Sequence, residues 1–212
     1  MYLTNRKRVQ RVLLSLIKTP SYIIPYFKYS LTKKTPLEIG LPWWSYKSVK
    51  KVQSLLNNNQ TVFEWGSGGS TIFLCHRVKS IISVENDHNW TTKVNSALSS
   101  LNVKNATVIQ KEINLQSAEC FLKCPYAKGI SDKFDIIVID GEDHFNSESL
   151  WSARENCFEL SQQAINDEGI IIVDDAWRYP SILDNSKAKK ILKLESIGPC
   201  RLGVTRTDLH FY

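Results

Sequence analysis

The segment Glu64-Trp65-Gly66-Ser67-Gly68-Gly69-Ser70-Thr71 holds three glycines directly behind a carboxylate, and a second carboxylate, Glu85, follows nineteen positions after Gly66. Glycines at 66, 68 and 69 let the backbone approach a ligand closely and take positive φ where a turn needs it. Ser67 and Ser70 add hydroxyls to the same loop. An acid that ends the second strand of a nucleotide-binding sheet can bind both ribose hydroxyls, and Glu85 directly follows the run Ile81-Ile82-Ser83-Val84. Position 71, where a dinucleotide fingerprint wants its third glycine, is Thr71. Glu64 would repel a pyrophosphate and attract an ammonium group. A nucleoside ligand without phosphates therefore fits better than a dinucleotide.

A second constellation is Asp140, Asp174 and Asp175, each just past the end of a strongly apolar run. In a parallel sheet they would meet at the edge that carries the glycine loop. Convergent carboxylates repel one another unless a cation or a proton intervenes. The same acids can instead cap the turns before Gly141 and Ala176. His144, in Asp140-Gly141-Glu142-Asp143-His144, should reach the same mouth. An imidazole with a pKa near 6.5 can accept a proton from an attacking hydroxyl, and a surface histidine without a role is the plain alternative. Arg178 can hold an anionic group or pair with an acid, and Trp43, Trp44, Trp177 and Tyr179 can form an apolar lid or fill the core.

The elements that must position these groups are legible from periodicity. Ser45 to Asn57 reads as a helix with Val49, Val52, Leu55 and Leu56 on one face. Short β-rich runs then alternate with helical or loop segments: Thr61–Phe63, Ile81–Val84, Ala106–Ile109, Phe134–Ile139 and Gly169–Val173. That alternation predicts an α/β, doubly wound, mostly parallel sheet. The fourth and fifth runs are apolar throughout, as in central strands covered on both faces. Thr71–Arg77 is expected to be helical, Ser149–Ile165 is long enough for a crossover helix, Ser186–Leu194 is expected to be helical, and Gly203–Phe211 suits an antiparallel hairpin at the sheet edge.

On these residues the chain resembles the class I S-adenosylmethionine-dependent methyltransferases over roughly residues 40 to 212. The markers are Val62–Thr71, Ser83-Val84-Glu85, Phe134–Gly141 and Glu168–Trp177. The resemblance implies a seven-stranded Rossmann-like sheet with an antiparallel last strand. It also implies S-adenosylmethionine held by Glu64, Gly66, Ser67, Gly68, Ser70, Glu85 and Asp140, and methyl transfer from sulfur. Residues 110 to 112 would face the adenine. The later part is similar to metal-dependent O-methyltransferases, which implies magnesium on Asp140, Asp174 and Asp175, with Asp140, His144 and Asp174 catalytic. The usual Asp-Asn of that family is Asp174-Asp175 here, closer to its sugar and macrolide branch. The expected acceptor is a small-molecule or glycan hydroxyl. A binding protein without turnover and a nucleic-acid methyltransferase are the rival readings. Against the latter, no Asn/Asp-Pro-Pro-Tyr/Phe motif follows the fourth strand, and Asp140, Glu142 and Asp143 are acidic where a phosphate backbone would approach.

Composition sets the frame. The 212 residues suffice for one substantial core, so one domain (41–212) with an N-terminal arm (1–40) is expected. The net charge of +6 sits in the arm: eight basic residues precede the first acid, Glu38, and the rest of the chain nets −2. Val9, Val12, Leu13, Leu16 and Ile17 recur in the arm at helical spacing. The arm can thus lie as an amphipathic helix on an anionic membrane surface through residues 1–36, or pack on its own domain or a second subunit. No apolar run approaches the roughly 20 residues needed to span a bilayer. Five dispersed cysteines without a Cys-x-x-Cys pair indicate neither a zinc site nor a disulfide framework. The expectation is a soluble cytoplasmic protein, peripheral at a membrane if the arm docks there.

Overall fold

The computed structural model describes residues 5–30, 34–144 and 150–212. Four helices come first: α1 (Asn5–Lys18), α2 (Ile23–Ser30), α3 (Pro36–Ile39) and α4 (Tyr46–Gln53). The alternating body follows as β1 (Thr61–Trp65), α5 (Gly69–Cys75), β2 (Ser80–Glu85), α6 (His88–Ser100), β3 (Ala106–Gln110) and α7 (Ala118–Lys123). It continues with β4 (Phe134–Ile139), α8 (Ala153–Ala164), β5 (Ile165–Val173), α9 (Pro180–Asn185), β6 (Lys190–Ile197) and β7 (Val204–Phe211).

All seven strands form one sheet in the order β3-β2-β1-β4-β5-β7-β6. Strands β1 to β5 pair in parallel, and β7 is antiparallel to both β5 and β6. This is the Rossmann-like methyltransferase fold expected from the sequence. The strand order reverses between β1 and β4, which opens a crevice at their carboxyl ends.

Period-two geometry explains why the central strands read as unbroken apolar runs. Phe63, Trp65, Ile137, Ile139, Ile171 and Val173 point to one face and pack with Phe121, Phe158 and Tyr126. Val62, Ile136, Val138, Ile170 and Ile172 point to the other and pack with Ile72, Phe73, Leu74 and Val94. Each such side chain taken wholly out of water contributes about 1.5–3 kcal/mol, so both faces hold the sheet between their helices.

Two expected elements are corrected: Gly203–Phe211, expected as a hairpin at the sheet edge, is the single strand β7 between β5 and the edge strand β6. The helix predicted over Ser186–Leu194 is α9 ending at Asn185, followed by the edge strand β6. Ile191, Leu192, Leu194 and Ile197 have a spacing that either structure can use. Eight register pairs with β7, from Lys190↔Phe211 to Ile197↔Val204, decide for the strand. Pro180 starts the helix earlier because its fixed φ suits a first helical position. The predicted start of the crossover helix at Ser149 lies outside the described residues, and α8 begins at Ala153 with Ser152 as its cap.

The arm packs on its own domain. Val12 and Tyr26 join Tyr46 and Ile197 in a small core of their own, and the Arg11 guanidinium meets Glu195 at 2.9 Å. The Ser30 hydroxyl donates to the Gly198 carbonyl. Among the described residues no helix is long and apolar enough to cross a membrane.

His210 lies buried in β7 between β5 and β6, its ring 5.0 Å from that of Phe158 and its Nδ1 2.8 Å from the Ser186 hydroxyl. Burial, with Lys193 and Arg206 nearby, pushes its pKa down to about 4. The unfolded chain takes up this proton near pH 6.5 and the folded chain does not, so stability falls as pH drops from about 6.5 to about 4. Urea denaturation across that interval should show a shallower loss for His210→Leu than for the wild type. Equal slopes would mean that His210 is not held neutral.

Candidate functional site

The site grows from the seam between β1 and β4. The chain leaves β1 at Trp65 and turns at Gly66, whose φ is +94°. A Cβ there would stand 2.9 Å from both the Asp140 carbonyl oxygen and the Gly141 Cα, so only glycine lets the two strand ends approach. The turn is locked on both sides: Gly66 N–H donates to the Val84 carbonyl, and Asp140 N–H donates to the Trp65 carbonyl. Gly68 N–H donates to the Thr71 hydroxyl, which in turn donates to Glu64 at 2.6 Å.

Glu64 is fully buried. Its Oε2 accepts from Thr71 and, at 2.8 Å, from Ser83, whereas among the described residues no hydrogen bond of good geometry reaches Oε1. Burial pushes its pKa up to about 7, opposed by the hydroxyls of Ser70, Thr71 and Ser83. Glu85 ends β2 with Oε1 held by the N–H groups of Asn86 and Asp87 and Oε2 accepting from the Ser67 hydroxyl at 3.0 Å. Burial raises its pKa as well. The indole N–H of Trp90 donates to the Ser67 carbonyl and fixes the far side of the loop. All the loop residues predicted from the sequence, Glu64, Gly66, Ser67, Gly68, Ser70 and Glu85, thus meet at one edge.

Asp140, Asp174 and Asp175 also reach that edge, but guanidinium groups occupy the place expected for a cation. Arg154 lies 3.3 Å from Asp140 and donates to the Gly141 and Asp174 carbonyls. Arg201 lies 3.6 Å from Asp174 and 3.0 Å from Asp175. Thr207 donates to Asp174, and Thr205 to Asp175. Burial keeps the Asp140 and Asp174 carboxyls above the ordinary range despite these partners. For Asp175, burial is outweighed by Arg201 and Thr205, and its pKa falls. Among the described residues no group of three His, Cys, Asp or Glu has the geometry of a metal site. A donor set already engaged by two arginines does not fit magnesium, and the magnesium expected on Asp140, Asp174 and Asp175 finds no support here. Sequence reasoning missed Arg154 and Arg201; neither lies in a motif, and only the fold brings them to the acids.

His144 follows β4 as expected, with its ring 4.1 Å from the Trp151 ring and its Nδ1 3.7 Å from Asp143. Asp143 also accepts from Ser152 and from Ala153 N–H at the start of α8. The expected aromatic lid divides. Trp44 and Tyr179 are fully buried, whereas Trp43 and Trp177 are half exposed and face a cavity of about 740 Å³. The cavity lies beside Asp175 and Arg201, with Leu202 and the arm residues Arg8 and Arg11 completing its wall. Arg201 stacks over Trp43 at 4.9 Å.

No family model matches the chain, and no curated protein matches it. Solved structures do resemble it in fold. A Streptococcus mutans protein in complex with SAH is 11% identical, with a TM-score of 0.55 over 85% of this chain and 100% of that one. An rRNA methylase from Streptococcus thermophilus is 13% identical, with a TM-score of 0.53 over 85% and 98%. A precorrin-6y C5,15-methyltransferase from Geobacter metallireducens GS-15 is 11% identical, with a TM-score of 0.52 over 86% and 95%. Identities this low speak to the fold alone.

Removing Arg154 while keeping Asp140 leaves a carboxylate at the edge without its counter-charge, a change that typically costs about 3–5 kcal/mol. Arg154→Leu should therefore lower the urea midpoint strongly, and adding Asp140→Asn should recover a large part of the loss. An additive double variant would show that the two groups do not interact.

Proposed function

We propose that the protein is an S-adenosylmethionine-dependent methyltransferase that methylates a hydroxyl of a small molecule or glycan. The observation that carries this reading is the Gly66 turn, pressed on the Asp140–Gly141 backbone between two buried acids at the switch point. The cofactor suits these residues. Glu64 Oε1, which no hydrogen bond of good geometry reaches among the described residues, matches an ammonium group. Glu85, already ordered by two backbone N–H groups, matches a ribose diol once Ser67 gives way. Neither acid would tolerate a pyrophosphate.

When bound, the cofactor supplies a methyl group already activated on a sulfonium, so the protein's part is chiefly placement. The cavity beside Asp175 is the proposed acceptor site, with Trp43 and Trp177 for an apolar body and Arg201 at its rim. His144 is the proposed proton acceptor, an imidazole that follows β4 with its Nδ1 3.7 Å from Asp143. Asp140 and Asp174 would act by holding Arg154 and Arg201 in place. An RNA acceptor is a second reading, supported by the rRNA methylase among the similar structures. Asp140, Glu142 and Asp143 at the mouth oppose it.

Isothermal titration with S-adenosylmethionine tests the cofactor directly, and absence of binding would sink the proposal. At about pH 6, below the Glu64 value of about 7, an incoming ammonium should release a proton. The heat should therefore vary with the ionisation enthalpy of the buffer, and Glu64→Gln should abolish that variation. Glu85→Ala should weaken binding about tenfold to hundredfold. With an acceptor identified, His144→Gln should lower kcat by about a hundredfold with cofactor affinity unchanged. EDTA should leave turnover as it was; a loss restored by magnesium would return the metal reading.

A further inference from the structure

The arm helices carry more apolar surface than the domain covers. At 100° per residue, Val12, Ser15 and Leu16 of α1 turn to the domain and are buried or half-buried. Val9, Leu13, Leu14 and Ile17 occupy a neighbouring arc of roughly 140° and are 54–73% exposed. In α2, Ile24 and Phe27 add 78% and 55% exposed faces one turn apart, while Tyr26 packs inward. Six large apolar side chains bared on two consecutive helices exceed what scattered surface residues account for.

We infer that this face docks the protein on an anionic membrane surface. Charge selects the occupant. Residues 1–37 contain no acid, and on α1 Lys7 and Lys18, on either side of the Glu195-paired Arg11, border the apolar arc on its Leu14 side. Long basic side chains at the border of an apolar face can reach lipid phosphates while the apolar groups enter the acyl boundary. A second copy of the arm would bring the same cations against each other. A nucleic acid would take the cations and leave the apolar arc in water. The N-terminal turns of α1 also wall the cavity with Arg8, Val9 and Arg11, so docking holds the cavity near the headgroups. The inference does not depend on the proposed methyl transfer.

Co-sedimentation of the full chain with vesicles tests it. Vesicles of phosphatidylcholine with about one-third phosphatidylserine should bind at least about tenfold more tightly than phosphatidylcholine alone, with the difference shrinking as salt rises. Leu13→Glu/Ile17→Glu, both at exposed positions, should abolish binding with an unchanged melting temperature. Three results would overturn the inference: no binding to anionic vesicles, equal binding to both compositions, or a wild-type dimer in vesicle-free buffer that the double variant returns to monomer.

Discussion

The close approach of β1 and β4 at their carboxyl ends is the constraint on which the site depends. Gly66 and Gly141 face one another there, and a side chain on either would collide: at Gly66 with the Asp140 and Gly141 backbone, at Gly141 with the Tyr126 hydroxyl. Because the backbones touch, one ladder continues from Val84 through Gly66 and from Trp65 to Asp140. The two acids of the loop inherit their positions from that ladder. Glu64 is the penultimate residue of β1, and Glu85 is the last of β2.

Charge is handled differently on the two sides of the seam. Beside the loop, burial pushes the Glu64 pKa up to about 7, against the opposing hydroxyls of Ser70, Thr71 and Ser83. Beyond β4 and β5 three acids are matched by two guanidiniums brought from α8 and from the β6–β7 connection. A guanidinium offers several directed donors and remains charged at any pH the protein meets. It satisfies the carboxylates by geometry as well as charge, leaving little for a hydrated divalent ion to gain.

The β6–β7 hairpin joins the remaining parts. Its inner strand completes the sheet beside β5 and carries Thr205 and Thr207 to the aspartates; its connection carries Arg201; its outer strand receives the arm through Glu195 and Ile197. Core, acid cluster, cavity wall and arm thus meet on one element, and a change in the register of β6 on β7 would shift them together.

Much of this was legible in the chain. The all-apolar runs at 136–139 and 170–173 marked the central strands, because a strand covered on both faces buries every side chain it carries. Gly66, Gly68, Glu64 and Glu85 marked the loop and the two acids beside it, because turn geometry acts locally. Ser186–Leu194 misled because an edge strand needs only one partner, and that partner lies on a different segment. The fate of Asp140, Asp174 and Asp175 was equally undecidable from sequence. Their pairing with Arg154 and Arg201 spans up to 27 positions from Asp174 to Arg201, and a carboxylate's counter-ion is whatever the fold brings near it. The residues of the glycine loop were fixed by the sequence itself; their electrostatic company was decided only when distant segments packed together.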